Sequence, residues 1–229
     1  MVGIRVSRYN VFMPVRRFAF SLGEFYHVYS RGVDKRAVFL DENDNKRFVK
    51  LLFLCNGSRP VVFRDYKDIS LADLDMGEKL VSIGAYCLMG NHFHLLLKEV
   101  TEGGIVKFMS KLLTAYSSYF NKKYQRTGAL FESEFKATHA NTDEYLKYLF
   151  AYIHLNPLKI LDPEWKSKKI DTKSAKNFLE KYLHSSFGDY VGKERDEANI
   201  LIKSEFPEYF TGVNSFEEYL YDWLNFFDQ

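Results

Sequence analysis

The sequence predicts a mixed α/β domain, and two observations carry that expectation. Short runs of strand formers at 25–30, 81–88 and 92–97 are separated by stretches whose apolar residues recur with helical periodicity. Hydrophobic residues make up 46% of the chain and charged residues 27%, the balance of a globular protein with a real core. The 229 residues suit one large domain, or a smaller one with an extension. The texture divides the chain into a basic arm at 1–23, a main domain at 24–160 and a helical, acidic extension at 161–229.

Arg16 and Arg17 sit in an aromatic setting within the arm. The first strand is 25–30, where His27 reads as a hydrogen-bonded structural histidine rather than one facing a site. Gly32 and Asp34 mark a turn. Asp41 and Asp44 are placed to cap a helix with the stripe Phe48, Leu51, Leu52 and Cys55, closed by Asn56-Gly57-Ser58. Residues 60–63 read as a short strand and 64–78 as an acidic loop. Two strands at 81–88 and 92–97 flank a Met89-Gly90-Asn91 turn. A helix then starts near Gly103-Gly104, with Ile105, Phe108, Met109, Leu112, Tyr116 and Phe120 inward. Residues 129–136 read as another strand, running on through Phe135-Lys136-Ala137-Thr138. The helix that follows, capped by Asn141 and Glu144, ends at Asn156-Pro157. Beyond it, Asp162-Pro163 and the lysines 166, 168 and 169 look like a hinge. Two or three helices complete the chain. The last has Ser215 and Glu218 as a capping box and Phe216, Tyr219, Leu220, Trp223, Phe226 and Phe227 on its apolar face.

No apolar run is long enough to span a membrane, and no signal peptide or lipidation motif is visible, so a cytoplasmic protein without a membrane partner is expected. Cys55 and Cys87 are far apart in apolar surroundings and read as reduced core thiols. The net charge of +2 hides an asymmetry. Residues 1–36 carry seven Arg or Lys, Arg31 among them, against two acids. Between Gly103 and Gly128 there is no acid, but Lys107, Lys111, Lys122, Lys123 and Arg126 are present. Both stretches suit a polyanion, and exposed aromatics could stack on unpaired bases. From Asp189 onward the balance reverses, to ten acids against three bases.

Two clusters carry chemistry. On a strand, His92 and His94 project from one face while Phe93 and Leu95 take the other, so two imidazoles stand side by side as candidate ligands for a divalent metal. On the later helix, Tyr148, Tyr152 and Asn156 are spaced by four and share a face, offering a phenol nucleophile one turn from an amide oxygen. Two imidazoles and an amide oxygen form a borderline set that accepts Mg²⁺ or Mn²⁺ once phosphate and water complete the shell. They look nothing like a thiolate cage for structural zinc.

His92-Phe93-His94 after a strand, followed by Tyr152-Ile153-His154-Leu155-Asn156-Pro157, resembles the single-tyrosine HUH transposases, with REP-associated tyrosine transposases as the nearest branch. Tyr26-His27-Val28-Tyr29-Ser30-Arg31-Gly32, Thr127-Gly128-Ala129-Leu130-Phe131 and Ser185-Ser186-Phe187 also fit. The resemblance is good over 24–160 and loose elsewhere. It implies a ferredoxin-like sandwich whose antiparallel sheet carries the histidines centrally, with helices on one face presenting the tyrosine. It implies that Tyr152 attacks single-stranded DNA to give a 5′-phosphotyrosine, and that His92, His94 and Asn156 (Gln in some relatives) hold the metal. It also implies a DNA hairpin as partner, and the two basic stretches, with Arg16, Arg17, Arg31, Lys107, Lys111, Lys122, Lys123 and Arg126, are where that contact is expected. Monomers and homodimers both occur among such relatives. Two positions depart from the pattern: Gly90, where relatives usually have Pro, and Ser133-Glu134, which replaces a Gly-Arg pair. The competing functional readings are a rolling-circle type of HUH initiator and a catalytically silent DNA-binding protein.

Overall fold

The computed structural model describes residues 19–132, 134–167 and 170–226, the side chains of 225 and 226 excepted. Four strands, β1 (Phe25–Arg31), β2 (Val81–Met89), β3 (His92–Glu99) and β4 (Lys136–His139), form one sheet in the order β2-β3-β1-β4. Every neighbouring pair is antiparallel. Eight α-helices accompany them among the described residues: α1 (Glu42–Leu54), α2 (Phe63–Tyr66), α3 (Gly104–Lys123), α4 (Asp143–Leu155), α5 (Leu158–Leu161), α6 (Thr172–Lys181), α7 (Phe187–Tyr190) and α8 (Val213–Phe226). The β1-α1-β2-β3-α3-β4 order, with β3 and β1 central, is the ferredoxin-like sandwich.

Strand alternation sorts the two faces. Tyr26, Val28, Phe93, Leu95 and Leu97 point to the side covered by α1 and α3, whose stripes Phe48, Leu51, Leu52 and Ile105, Phe108, Leu112, Tyr116 complete a continuous core. Leu96, Cys87 and Met89 point to the other side and pack under Leu146, Leu149, Phe150 and Ile153 of α4. The histidine pair therefore faces α4. On β2 the alternation is reset by a bulge between Ile83 and Ala85. Gly84 sits in it, and a Cβ there would come within 2.6 Å of the Phe206 ring.

Acidic side chains start two helices. Asp41 and Asp44 form a reciprocal capping box on α1. Glu99, at the end of β3, accepts from Gly103 N (2.8 Å) and Ile105 N (3.1 Å), which turns the chain directly from strand into α3.

The acidic extension is bound to the sheet by more than packing. Leu88 N donates to His184 O, Ser186 N donates to Tyr86 O, and Tyr86 N donates to Ser186 Oγ, each at 2.9 Å. Residues 184–186 thus occupy part of the open edge of β2, a surface that would otherwise invite pairing with another chain. Farther on, Phe187, Phe216, Leu220 and Trp165 share an apolar cluster with Ala151 and Leu155 of α4.

Several local expectations are corrected. Residues 60–63 make no strand; Phe63 opens the short α2, with the Arg47 guanidinium 3.4 Å over its ring. No sheet edge reaches that segment. The strand expected from 129 begins only at Lys136, because Phe131 makes a single bridge to Gly32 before the chain leaves the sheet. Thr142, not Asn141, caps α4, its hydroxyl accepting from Tyr145 N at 3.1 Å. Asn156 and Pro157 keep helical angles, so the chain passes through the proline into α5. A missing N–H is tolerated there because Pro157 stands at the start of the next turn. Ser215 lies inside α8, which starts at Val213, and its Oγ donates to Gly212 O.

Candidate active site

The hairpin turn Gly90-Asn91 places Met89 opposite His92, and β1 places Tyr29 opposite His94 and Arg31 opposite His92. The two imidazoles stand with ring centroids 5.0 Å apart and planes at 89°. Each has one nitrogen occupied. His92 Nδ1 lies 2.6 Å from Asn91 Oδ1, and His94 Nδ1 lies 2.9 Å from His27 Nε2. The Nε2 atoms are thus the nitrogens left to bind a ligand. His27, expected to be a hydrogen-bonded histidine, makes that bond to His94 itself.

Above them α4 presents Tyr152, the expected nucleophile. The Tyr152 ring stands edge-on to His94 (5.5 Å, 82°) and to His27 (5.5 Å, 75°) and remains partly exposed. One turn on, Asn156 is 2% exposed. Its Nδ2 donates to Tyr152 O at 2.8 Å, while its Oδ1 is buried without a hydrogen-bond partner. A buried carbonyl oxygen left unpaired carries a desolvation cost, and such atoms call for an explanation. A cation beside it supplies one. Among the described residues no group of three His, Cys, Asp or Glu side chains is arranged to hold a metal; the unpaired Asn156 oxygen is an amide donor of the kind a hard divalent cation accepts. Two free imidazole nitrogens and an orphaned amide oxygen suit a divalent ion.

The electrostatics agree with that chemistry. Burial, then the nearby Arg31 and Lys159, lowers His92 to about 4, and burial with its two histidine neighbours takes His94 well below the ordinary value. Both rings are neutral at pH 7, the form that binds metal. Burial raises the Tyr152 phenol above its usual pKa, with the Asn156 amide partly offsetting it. Tyr152 is a neutral phenol at pH 7.

Residues 72–156, which include both histidines, the tyrosine and the asparagine, match the family described as transposase IS200-like. Over that segment the chain is similar to the IS200-like transposases. No curated protein matches it. Among solved structures, that of a REP-associated tyrosine transposase bound to a REP hairpin is similar at 12% identity, covering 81% of this chain and 90% of its own, with a TM-score of 0.49.

Around this site the structure sorts the remaining expected residues. Arg31 is exposed at the end of β1 beside His92. Lys107 and Lys122 point outward from α3, on the sheet face opposite Tyr152. Lys111 and Lys123, by contrast, are bonded within the fold. Lys111 Nζ donates to Gly57 O and Arg59 O, fastening the loop after α1. Lys123 bridges Asp41 and the fully buried Asp44, each at 2.7 Å. An acid-free stretch of sequence says nothing about acids brought in from another helix. Arg126 donates to Asn121 Oδ1 at 3.0 Å and keeps partial exposure. Arg16, Arg17 and Ser133 lie outside the described residues. His139 is paired with Glu24 (2.8 Å) at the other end of β1, away from the site, and His154 is a structural histidine bonded to Ser186 Oγ (2.7 Å).

Sequence reasoning missed what the extension contributes. Trp165, Lys166 and Trp223 line a narrow cleft together with Tyr148, Tyr152 and Asn156. Lys166 Nζ is 5.1 Å from the centre of the Tyr152 ring, and burial, then Lys159, lowers its pKa to about 8. Lys166 belongs to the lysine cluster at the expected hinge. Lys159 was findable, since it follows Asn156 by three and so lies on the next turn of the same helical path.

Proposed function

We propose that this protein cleaves and rejoins single-stranded DNA, with Tyr152 as the nucleophile and His92, His94 and Asn156 as ligands for Mg²⁺ or Mn²⁺. One observation carries the reading: the orphaned Asn156 Oδ1 lies on the helix face that also sets Tyr152 against His94. When bound, the divalent cation supplies Lewis-acid polarisation of the scissile phosphate. The phenol oxygen of Tyr152 attacks phosphorus, the phosphorus–O3′ bond breaks, and the departing oxygen takes up a proton to leave a free 3′-hydroxyl. The phenolic proton passes to solvent. The product is a 5′-phosphotyrosine, and attack by a 3′-hydroxyl reverses the step without ATP, because one phosphodiester has been exchanged for another.

Arg31, Lys159 and Lys166 offset the charge gathered at phosphate and phenol. The outward cations of α3 suit the backbone of a structured DNA segment, and a hairpin fits that reading; phosphate contacts position DNA without naming its sequence. The test is a denaturing gel of protein incubated with labelled single-stranded hairpins from its own genomic flanks. An SDS-resistant adduct that needs Mg²⁺ or Mn²⁺ and disappears in Tyr152→Phe, while that variant still binds, supports the reading. Tight binding with no adduct under any metal would reassign the protein as a silent DNA binder.

A further inference from the structure

His27 has no role in the chemistry above, yet it is the side chain that holds His94. It is 6% exposed on β1, and its ring stacks on His94 with centroids 5.0 Å apart and planes at 23°. The 2.9 Å contact between His27 Nε2 and His94 Nδ1 holds one proton between two nitrogens. That proton decides whether His94 can ligate. If it belongs to His94, the neutral ring carries its lone pair on Nε2, toward the site. If it belongs to His27, neutral His94 must carry its own proton on Nε2, and that nitrogen is closed to a metal. His92 faces no such choice, because its Nδ1 lies against the Asn91 side-chain oxygen, a pure acceptor.

We infer that His27 is a positioning residue: it accepts the Nδ1 proton of His94 at its own Nε2, keeps its proton on Nδ1, and so selects the ligating tautomer of His94. The inference rests on the reading of His92, His94 and Asn156 as metal ligands. Partners of this kind orient ligating histidines and raise their basicity, and losing one costs about 10–100-fold in metal affinity. A histidine partner differs from a carboxylate in being able to donate as well as accept. Metal-free protein can therefore hold either tautomer, and the ligand must draw the pair into one of them.

The test is Mn²⁺ binding by the full-length protein, followed by electron paramagnetic resonance without DNA. His27→Phe removes the acceptor and keeps the ring volume; His27→Gln keeps an acceptor oxygen. Expected are a loss of about 10–100-fold in affinity for His27→Phe and a substantially smaller loss for His27→Gln. Wild-type affinity in His27→Phe, with binding lost in His94→Ala, would overturn the role of His27 and leave the metal site standing. Unaltered Mn²⁺ binding in His94→Ala would remove the site itself, and this inference with it. A second readout needs no variant: ¹⁵N spectra of Mg²⁺-loaded wild type should show His27 protonated on Nδ1. A proton on Nε2 would overturn the inference even where a variant fails to fold.

Discussion

At the residue scale the site separates side chains that look alike in sequence. Tyr148 and Tyr152 share a helix face, but Tyr148 packs on Trp223 with centroids 4.9 Å apart, while Tyr152 stands over the histidines. Tyr148→Phe should therefore keep at least a tenth of wild-type adduct formation, and Tyr152→Phe should abolish it in the same gel assay. Because burial holds the Tyr152 phenol above its ordinary pKa, attack requires a proton to leave at neutral pH. Single-turnover adduct formation at fixed Mg²⁺ should rise through pH 7–9 with no plateau; a rate independent of pH would mean that the phenol is already ionised. Much of this site was legible beforehand. Spacing by two on a strand and by four on a helix places His92, His94, Tyr152 and Asn156 without knowledge of the tertiary structure. His27 and Lys166 were not legible, because each reaches the site through strand pairing or chain return, which spacing along the sequence does not encode.

At the element scale, several helix boundaries are held by polar side chains whose removal should be measurable. Thr142→Ala removes the α4 cap and should lower stability by about 1 kcal/mol in urea titrations. The α1 cap is tied to α3 through Asp44, which is buried and accepts from Leu40 N, Tyr119 Oη and Tyr124 Oη as well as from Lys123. Burial pushes its carboxyl up, but Lys123 and the other donors outweigh that and hold it low. Lys123→Met leaves this charge without its cation and should cost about 3 kcal/mol. Lys122→Ala, on the same turn but outward, should leave stability unchanged and weaken DNA binding in a salt-dependent way. Equal stability losses for the two would contradict the assignment. Element existence was legible from periodicity for β1, α1, β2, β3, α3 and α4. The start of β4 was not, since 129–135 has the composition of a strand but makes only one bridge, from Phe131 to Gly32 just past β1.

At the scale of the whole molecule, the extension and the sheet form a connected unit. Residues 184–186 bond to the β2 edge, and Ser186 links that edge to His154 in α4. Burial lowers the His154 pKa from 6.5 to about 3, so its contribution to stability is complete above pH 6.5 and is lost as pH falls from there toward 3. Thermal melts should show this acid loss, and Ser186→Ala should lower stability near neutrality by about 1–3 kcal/mol through the unpaired histidine nitrogen. The sequence marked Ser185-Ser186-Phe187 by resemblance alone; the physical reason for it, an edge strand that needs cover, appears only with the sheet order. The ferredoxin-like arrangement was itself an inference from resemblance, since periodicity gives strands and helices but not which strands pair.

The central claim is that one tyrosine, aligned against two histidines and an asparagine, makes a covalent bond to DNA. The most direct measurement is the mass of the peptide spanning Tyr152 after incubation with a single-stranded hairpin, Mg²⁺ and nuclease digestion. A 5′-linked nucleotide on Tyr152, absent with chelator, is the predicted result. A metal-dependent adduct carried by any other residue would contradict it.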